Sequence, residues 1–275
     1  MKTTIIIVNY NSLPALRTCL DSIILSTAPP LEILIVDNHS QDGSVEYLQK
    51  LKLPSVRTIY NQTNLGFTKA CNQGIQSADG DHLVTMNPDV IVSKGWLDRM
   101  AWHLRNNPRT LIIGPKGIGI GGRQAPGLLC YPSKLSAADR KFAAVYRKQS
   151  EPAKFLIGCL ILFDRRLVEK IGLFDEQMPL GADDFDLSLR IRQAGYQLRV
   201  ARDVLIRHLV HVSFNRSNPE ECRKLADLSY RHFKRKWAAE LRRYGWNRLF
   251  DDDEPVYPGD SFNSIGYKNE IPFRR

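Results

Sequence analysis

Apolar and polar positions alternate in blocks through the first third of the chain. Ile5 to Val8 is a compact β-branched run, the pattern of a strand buried on both faces. Asn9, Tyr10, Asn11 and Ser12 close it. Pro14 then suits the first turn of a helix carrying Leu16, Cys19, Leu20 and Ile23. A second strand is predicted over Leu31 to Val36, closed by Asp37, Asn38, His39 and Ser40. Gln41 to Gly43 turn the chain, and Ser44 is placed to cap a helix with Val45, Tyr47 and Leu48. A third strand, Val56 to Tyr60, leads through NQTNLGF to a helix around Lys69 to Ile75. A fourth, His82 to Met86, ends in Asn87-Pro88-Asp89.

Strands alternating with helices predict an α/β fold with a mostly parallel central sheet and helices on both faces. Ligands of such sheets bind beyond the carboxyl ends of the strands. Asn9, Asp37, Asn64, Asn87 and Asp89 all fall near such ends.

The pattern then loosens. Gly117 to Gly127 reads GIGIGGRQAPG and has no GK[ST] after it, so it is no Walker A loop. It reads as an irregular connection, or else as an acceptor-facing loop bearing Arg123. Phe155 to Phe163 is a further strand, followed by a helix with Leu167, Val168 and Ile171. In MPLGADDFDLSLRIRQAGY, Asp183, Asp184 and Asp186 precede an amphipathic helix. Acidic groups are favoured at a helix start, yet crowded like charges raise a carboxyl pKa. Strands at Gln197 to Ala201 and Val204 to Ile206 lead to His208 and His211. One last helix, Pro219 to Tyr244, carries Tyr230, Phe233, Trp237, Leu241 and Tyr244 on one face and basic residues on the others. The tail turns acidic at Asp251 to Glu254 and then irregular.

Composition narrows the class. The 275 residues suffice for one large domain with an appended segment. A formal charge of +10 favours anionic partners without choosing among them. Five cysteines, at 19, 71, 130, 159 and 222, form no CxxC pair and suggest a reducing compartment. MKTTIIIVNYN is too short in apolar residues for a signal peptide, and FLIGCLILF too short to span a bilayer. A cytoplasmic location follows, with peripheral attachment to the inner face of the membrane left open. Basic residues cluster on one terminal helix without a recognisable module, so nucleic acid is not expected.

Asn87 and Asp89, one residue apart, share a side of an extended segment, and Pro88 disfavours helix at Asn87. Asp89 suits Mg2+ or Mn2+ through oxygen, although the same tripeptide also suits a turn. His208 or His211 offers an imidazole ligand. Asp184 is the candidate general base, with Lys69 or Arg190 to offset phosphate charge. Arg190 equally suits an ion pair with Asp186 one turn back.

These motifs, IIIVNYN, ILIVDNHSQDGS, NQTNLGFTKACNQGI, VTMNPDV, GLFDE…GADDFDLSLRIRQAGY and RHLVHVS, occur in one order from Thr4 to about Ser213. In that order the chain resembles the family 2 glycosyltransferases, in particular their rhamnosyltransferase-like branch. The resemblance implies a GT-A-like catalytic domain over 1–215 and a C-terminal helix and irregular tail over 216–275. It divides the catalytic domain into a nucleotide-binding half, 1–115, and an acceptor and catalytic-base half, 116–215. It implies nucleotide contacts by Tyr10, Asn11, Asp37, Asn64, Gly66, Lys69 and Asn87. Asp89 and His208 become the metal residues for Mg2+ or Mn2+. Asp184 becomes the base beside Asp183, which stands where the family usually has Glu. Arg190, Arg123 and His211 are left as acceptor or phosphate contacts. The expected reaction is inverting transfer of one sugar from a UDP-, dTDP- or GDP-linked donor to a glycan or lipid-linked glycan, in cell-surface polysaccharide or glycoconjugate synthesis. A homodimer, and peripheral membrane contact through the basic last helix, are further expectations. The alternatives are a nucleotidyltransferase, disfavoured because NYNSLPALR replaces a Gly-rich basic signature, and an inactive binding protein of the same fold.

Overall fold

The structure, a computed structural model, describes residues 2–29, 31–127, 134–209 and 219–252. His211 and Cys130, both singled out in the sequence, lie outside the described residues. The first part builds β1 (Thr3–Asn9), α1 (Leu13–Ser26), β2 (Leu31–Asp37), α2 (Ser44–Lys50), β3 (Val56–Tyr60), α3 (Phe67–Ser77) and β4 (His82–Met86). Short β5 (Val90–Ile91), α4 (Trp96–Asn106), β6 (Thr110–Ile118), α5 (Leu135–Val145) and β7 (Ser150–Ala153) follow. Then come β8 (Leu160–Asp164), α6 (Arg166–Ile171), α7 (Asp183–Gln193), β9 (Gln197–His208), α8 (Pro219–Lys236) and α9 (Ala238–Phe250).

All described strands join one sheet, in the order β3-β2-β1-β4-β8-β6-β9-β5, with β7 also on β9. The expected parallel arrangement holds across β3, β2, β1 and β4. Beyond β4 the sheet is mixed. β8 runs antiparallel to β4 and β6, β6 runs parallel to β9, and β5 and β7 run antiparallel to β9.

The aliphatic runs bury both strand faces. Ile5 and Ile7 of β1 pack with Leu16, Leu20 and Ile23 of α1 and Trp96 of α4 on one side of the sheet. Ile6 and Val8 pack with Ala70, Cys71 and Ile75 of α3 and Leu187 and Ile191 of α7 on the other. Alternate residues of one strand thus point into different cores, which is why the runs are continuous rather than alternating.

Four expectations change. Ser44 is the first residue of α2 rather than its cap. Asp42 serves that end instead, accepting from the Ser44 N–H and hydroxyl through Oδ1 and from the Leu13 N–H through Oδ2. The strand expected from Phe155 begins only at Leu160. Its first part is occupied by contacts to other elements, with the Leu156 N–H on Ser188 Oγ and the Ile157 N–H on Gln124 Oε1. The two strands expected at 197–206 are one, β9, which crosses a register irregularity opposite Pro115 and Lys116. The last helix is two helices parted at Trp237, and Gly245 interrupts the second with φ 72°. Phe233 and Trp237 of its aromatic stripe pack inward with Leu249 and Phe250 around Met178 and Leu189, while Tyr230 stays partly exposed. Among the described residues no helix is long and apolar enough to cross a membrane.

Two contacts tie the loop before α7 to α3. Asn72 donates to the Phe174 carbonyl at 2.9 Å and accepts from the Phe174 N–H at 3.0 Å. At the start of α3, the Phe67 N–H donates to the Pro179 carbonyl at 2.8 Å. Gly66 at φ 81° and ψ 168° permits this approach, since a Cβ there would lie 2.9 Å from the Pro179 Cβ. That backbone region is essentially glycine's alone. Gly66→Ala is therefore expected to destabilise the protein by about 1–3 kcal/mol, read as a lower midpoint in thermal unfolding.

Candidate active site

The carboxyl ends of β1 and β2 are locked together. Asn9, wholly buried, donates through Nδ2 to Asp37 Oδ2 at 2.8 Å and to Ser40 Oγ at 3.1 Å. The other Asp37 oxygen accepts from the Ser40 N–H at 2.9 Å. Asn9 Oδ1 is buried with no partner among the described residues. Half-buried Asn11 sits at φ 48° and accepts from the Gln41 N–H at 2.7 Å, with half-buried Tyr10 beside it. Asn38 bridges onward, donating to Asn64 Oδ1 at 2.7 Å and accepting from the Leu65 N–H at 3.0 Å. Asn64 in turn accepts from the Gly66 N–H, and Lys69 extends from α3 into solvent. From sequence, Asn9 stands with the strand-end residues where a ligand would bind but has no role of its own, and Asn38 only closes the second strand. Their signal was their place at strand ends, but their role as braces depends on partners distant in sequence.

Asn87-Pro88-Asp89 forms a turn, closed by the Val90 N–H on the Asn87 carbonyl at 3.3 Å. The Asn87 N–H donates to the Cys159 carbonyl at 2.8 Å, and the Leu209 N–H donates to the Asp89 carbonyl at 3.0 Å. The second bond continues the pairing of Val90 with His208. It brings His208 Nε2 to 3.2 Å from Asp89 Oδ1, with both side chains largely buried. The tripeptide is thus both a turn and the holder of a carboxylate facing an imidazole. Among the described residues no cluster of three or more His, Cys, Asp or Glu is placed to hold a metal.

Asp183 and Asp184 open α7 immediately after Ala182, which sits at φ 62°. A left-handed conformation is strained for alanine, and such strain concentrates at functional sites. Asp184 Oδ1 accepts from the Phe185 N–H at 2.9 Å, and Oδ2 from the Gly158 N–H at 3.3 Å. Burial raises the Asp184 carboxyl despite these bonds. Burial and the adjacent Asp184 charge push Asp183 up further. Two like charges this close resist joint ionisation, so one proton stays with the pair well above the ordinary Asp range.

Cys159 lies within electrostatic reach of both centres. Burial first, and then the Asp89 and Asp184 carboxylates, push its thiol up to about 12. It is therefore an inert spacer between the two carboxylates, not a nucleophile.

Asp186 takes no part in this pair. Wholly buried, it accepts from Arg190 Nε at 2.7 Å, Trp237 Nε1 at 2.9 Å and Lys236 Nζ at 2.9 Å. Arg190 also donates to the Ile171 carbonyl at 2.9 Å, so its guanidinium is committed within the fold. Arg123 lines a separate cleft of about 390 Å³ with Lys116, Glu151, Phe155 and Phe250, and donates to the Asp252 carbonyl at 3.0 Å.

Residues 4–172 match the model of glycosyl transferase family 2. The chain belongs to that family. It is a glycosyltransferase. It is 26% identical over 234 residues to an N-acetylglucosaminyl-diphospho-decaprenol L-rhamnosyltransferase of Mycobacterium tuberculosis, covering 75% of this chain and 76% of that one. A mannosyltransferase from Pyrobaculum calidifontis, solved with GDP-Man and Mn2+, superposes with a TM-score of 0.58 at 21% identity, covering 89% of this chain and 76% of that one. GalNAc-T7, solved with UDP, GalNAc and Mn2+, gives a TM-score of 0.60 at 18% identity, and the 89% of this chain that aligns spans only 58% of it. At such identities the two structures establish the GT-A-like fold of this family member.

A pH dependence follows from the carboxylate pair. Asp183 is raised in the folded chain above its ordinary 3.8. Its contribution to stability is therefore complete below that ordinary value and is lost as pH rises through the raised one. Asp183→Asn removes the loss. The stability of the variant relative to the parent is expected to grow from acidic to alkaline pH, by at most about 1.4 kcal/mol per pH unit, measured by thermal unfolding across a pH series.

Proposed function

We propose that this glycosyltransferase is inverting and divalent-metal-dependent. It moves one sugar from a UDP-, dTDP- or GDP-linked donor to a hydroxyl of a glycan acceptor. The observation that carries the reading is the meeting of Asp89 and His208 at 3.2 Å, beside a desolvated carboxylate pair whose Asp184 is held by two backbone N–H groups.

Residues 1–115 are assigned to the donor. Asn9 and Ser40 fix the Asp37 carboxylate at a strand end, where it can meet a nucleobase. Tyr10, Asn11, Asn64, Gly66, Lys69 and Asn87 are assigned to the same nucleotide, and the buried Asn9 Oδ1 leaves one further acceptor beside Asp37. Asp89 and His208 fit a Mg2+ or Mn2+ ion in donor chemistry, one hard carboxylate and one imidazole. Such an ion completes its coordination with water and substrate phosphate, so two protein ligands suffice. When bound, it neutralises charge on the departing diphosphate.

Residues 116–215 are assigned to the acceptor and the base. Asp184, ionised, accepts the proton of the attacking acceptor hydroxyl. Asp183, protonated, spares the pair a second charge. Attack opposite the diphosphate in one displacement inverts the anomeric centre. Residues 216–275 add the C-terminal helices, whose exposed basic residues suit an anionic headgroup surface and hence a lipid-linked acceptor. The diphospho-decaprenol substrate in the mycobacterial relative's name supports that choice and a place in cell-surface polysaccharide or glycoconjugate synthesis.

Thermal stabilisation by UDP-, dTDP- and GDP-sugars, with and without Mn2+, tests the donor assignment. One nucleotide class should stabilise the protein more with Mn2+ present, and Asp89→Ala should abolish that increment. Stabilisation by none overturns the reading. Asp184→Asn should lower sugar transfer by about 10²–10⁴-fold while donor affinity is kept, and transfer surviving in this variant would move the base elsewhere.

A further inference from the structure

The C-terminal helices carry more aromatic surface than their packing consumes. Phe233 and Phe250 are buried in the cluster around Met178 and Leu189. Tyr230 of α8 and Trp246 of α9 instead remain 38% and 37% exposed. Their rings lie 6.2 Å apart at an interplanar angle of 21°, stacked as one partly exposed aromatic pair. Neither the Tyr230 hydroxyl nor the Trp246 indole N–H has a hydrogen-bond partner among the described residues. Buried tyrosines and tryptophans normally find such a partner, and exposed ones hold the polar group ready for a ligand.

The backbone sets this pair in place. Gly245 leaves helical geometry at φ 72° and ψ 165°, and Trp246 then folds back to 4.6 Å from the Phe250 ring. On its inner side Trp246 meets Phe185 edge-on at 5.0 Å. Phe185 is the residue after Asp184 and donates its N–H to that carboxylate at 2.9 Å. Tyr230 lies near enough to sense the same group. Burial raises its phenol, and the Asp184 charge raises it further. The aromatic pair therefore lies close to the Asp184 carboxylate.

We propose that Tyr230 and Trp246 form the acceptor subsite, a platform on which a pyranose ring of the acceptor stacks with one hydroxyl turned toward Asp184. The proposal rests on the assignment of Asp184 as the base. A pyranose carries C–H bonds on its flat face and hydroxyls around its rim. The C–H face is electropositive and suits the negative face of an aromatic ring. The rim hydroxyls suit the free phenol and indole N–H. The Lys234 ammonium lies over the Tyr230 ring, 5.6 Å from its centre, and adds a donor beside the pair. A lipid surface fits the same rings less well. Seating them in the hydrocarbon of a bilayer would draw the nearby Asp184 carboxylate away from water, at a cost no contact among the described residues offsets.

The test uses the full chain and octyl glycosides of glucose, N-acetylglucosamine, galactose, mannose and rhamnose, titrated against tryptophan fluorescence without donor. At least one glycoside should give a saturable change that disappears in Trp246→Phe, a variant that keeps a ring and the fold. In transfer assays with that glycoside, Tyr230→Ala and Trp246→Ala should each raise the acceptor KM about tenfold, the worth of one aromatic contact. Trp246→Phe and Tyr230→Phe should recover most of the loss. Nucleotide affinity should stay within about twofold in every variant, and circular dichroism checks that each folds. No fluorescence response to any glycoside, or a response intact in Trp246→Phe, overturns the subsite. So does loss of binding to anionic phospholipid vesicles in the alanine variants with glycoside binding unchanged. Failure of nucleotide to bind the parent protein would strike the donor reading instead, because the glycoside titration needs no nucleotide.

Discussion

The site depends on the antiparallel pairing of β8 with β4. Parallel strands alone would end side by side, each offering its own loop to a ligand. By running the other way, β8 starts where β4 finishes, and Met86 faces Leu160. The two residues before β8, Gly158 and Cys159, are thereby set against Asn87 and Asp184. The Cys159 carbonyl receives the Asn87 N–H, and the Gly158 N–H reaches the Asp184 carboxylate. One change of strand direction thus joins two chemistries whose residues are far apart in the chain. The pairing of β5 with β9 does the same at smaller scale for Asp89 and His208.

Asp186 holds the other side. Taking an ion from water costs several kcal/mol unless partners replace the water. Here an arginine one turn along α7, an indole and a lysine do so, and the lysine also binds Asp175 at 2.7 Å. Helix α8 cannot leave α7 without stranding that charge. The residues preceding Asp186 on the same helix, among them Asp183 and Asp184, inherit its fixed position. Crowded acidic residues at one helix start therefore divide into a carboxylate pair that shares a proton and a structural anchor.

Much of this was legible in the sequence where the signal is local. Ile5 to Val8, Leu31 to Val36 and His82 to Met86 announce buried strands by composition, and the polar residues that close them are the ones that gather at one edge. Asp89 and His208 could be named because each follows a strand. That they meet is a matter of strand pairing, which no local pattern encodes. β6 opens with the apolar Leu111 to Ile113 but continues through Gly114, Pro115 and Gly117, and β7 reads Ser-Glu-Pro-Ala, so the second half of β6 and all of β7 lack an apolar strand signature and are held by pairing with β9. The pairing of Asp186 with Arg190 one turn along was legible, but its other two partners, Lys236 and Trp237, lie far along the chain and gave no local signal. The break at Trp237 was hidden for the same reason, its indole being drawn to that distant carboxylate.

The contact of Gly66 with Pro179 bears on how substrates would be received. It welds the loop after β3 to the loop before α7, while Asn72 clamps the same loop a little earlier. Neither segment can swing without the other. Ordering of the two loops is thereby completed when the chain folds, and little conformational entropy is left for a ligand to remove on arrival. The described part of the site is a preorganised receptor, and differences in affinity among ligands should reflect the contacts they make there rather than the work of assembling it.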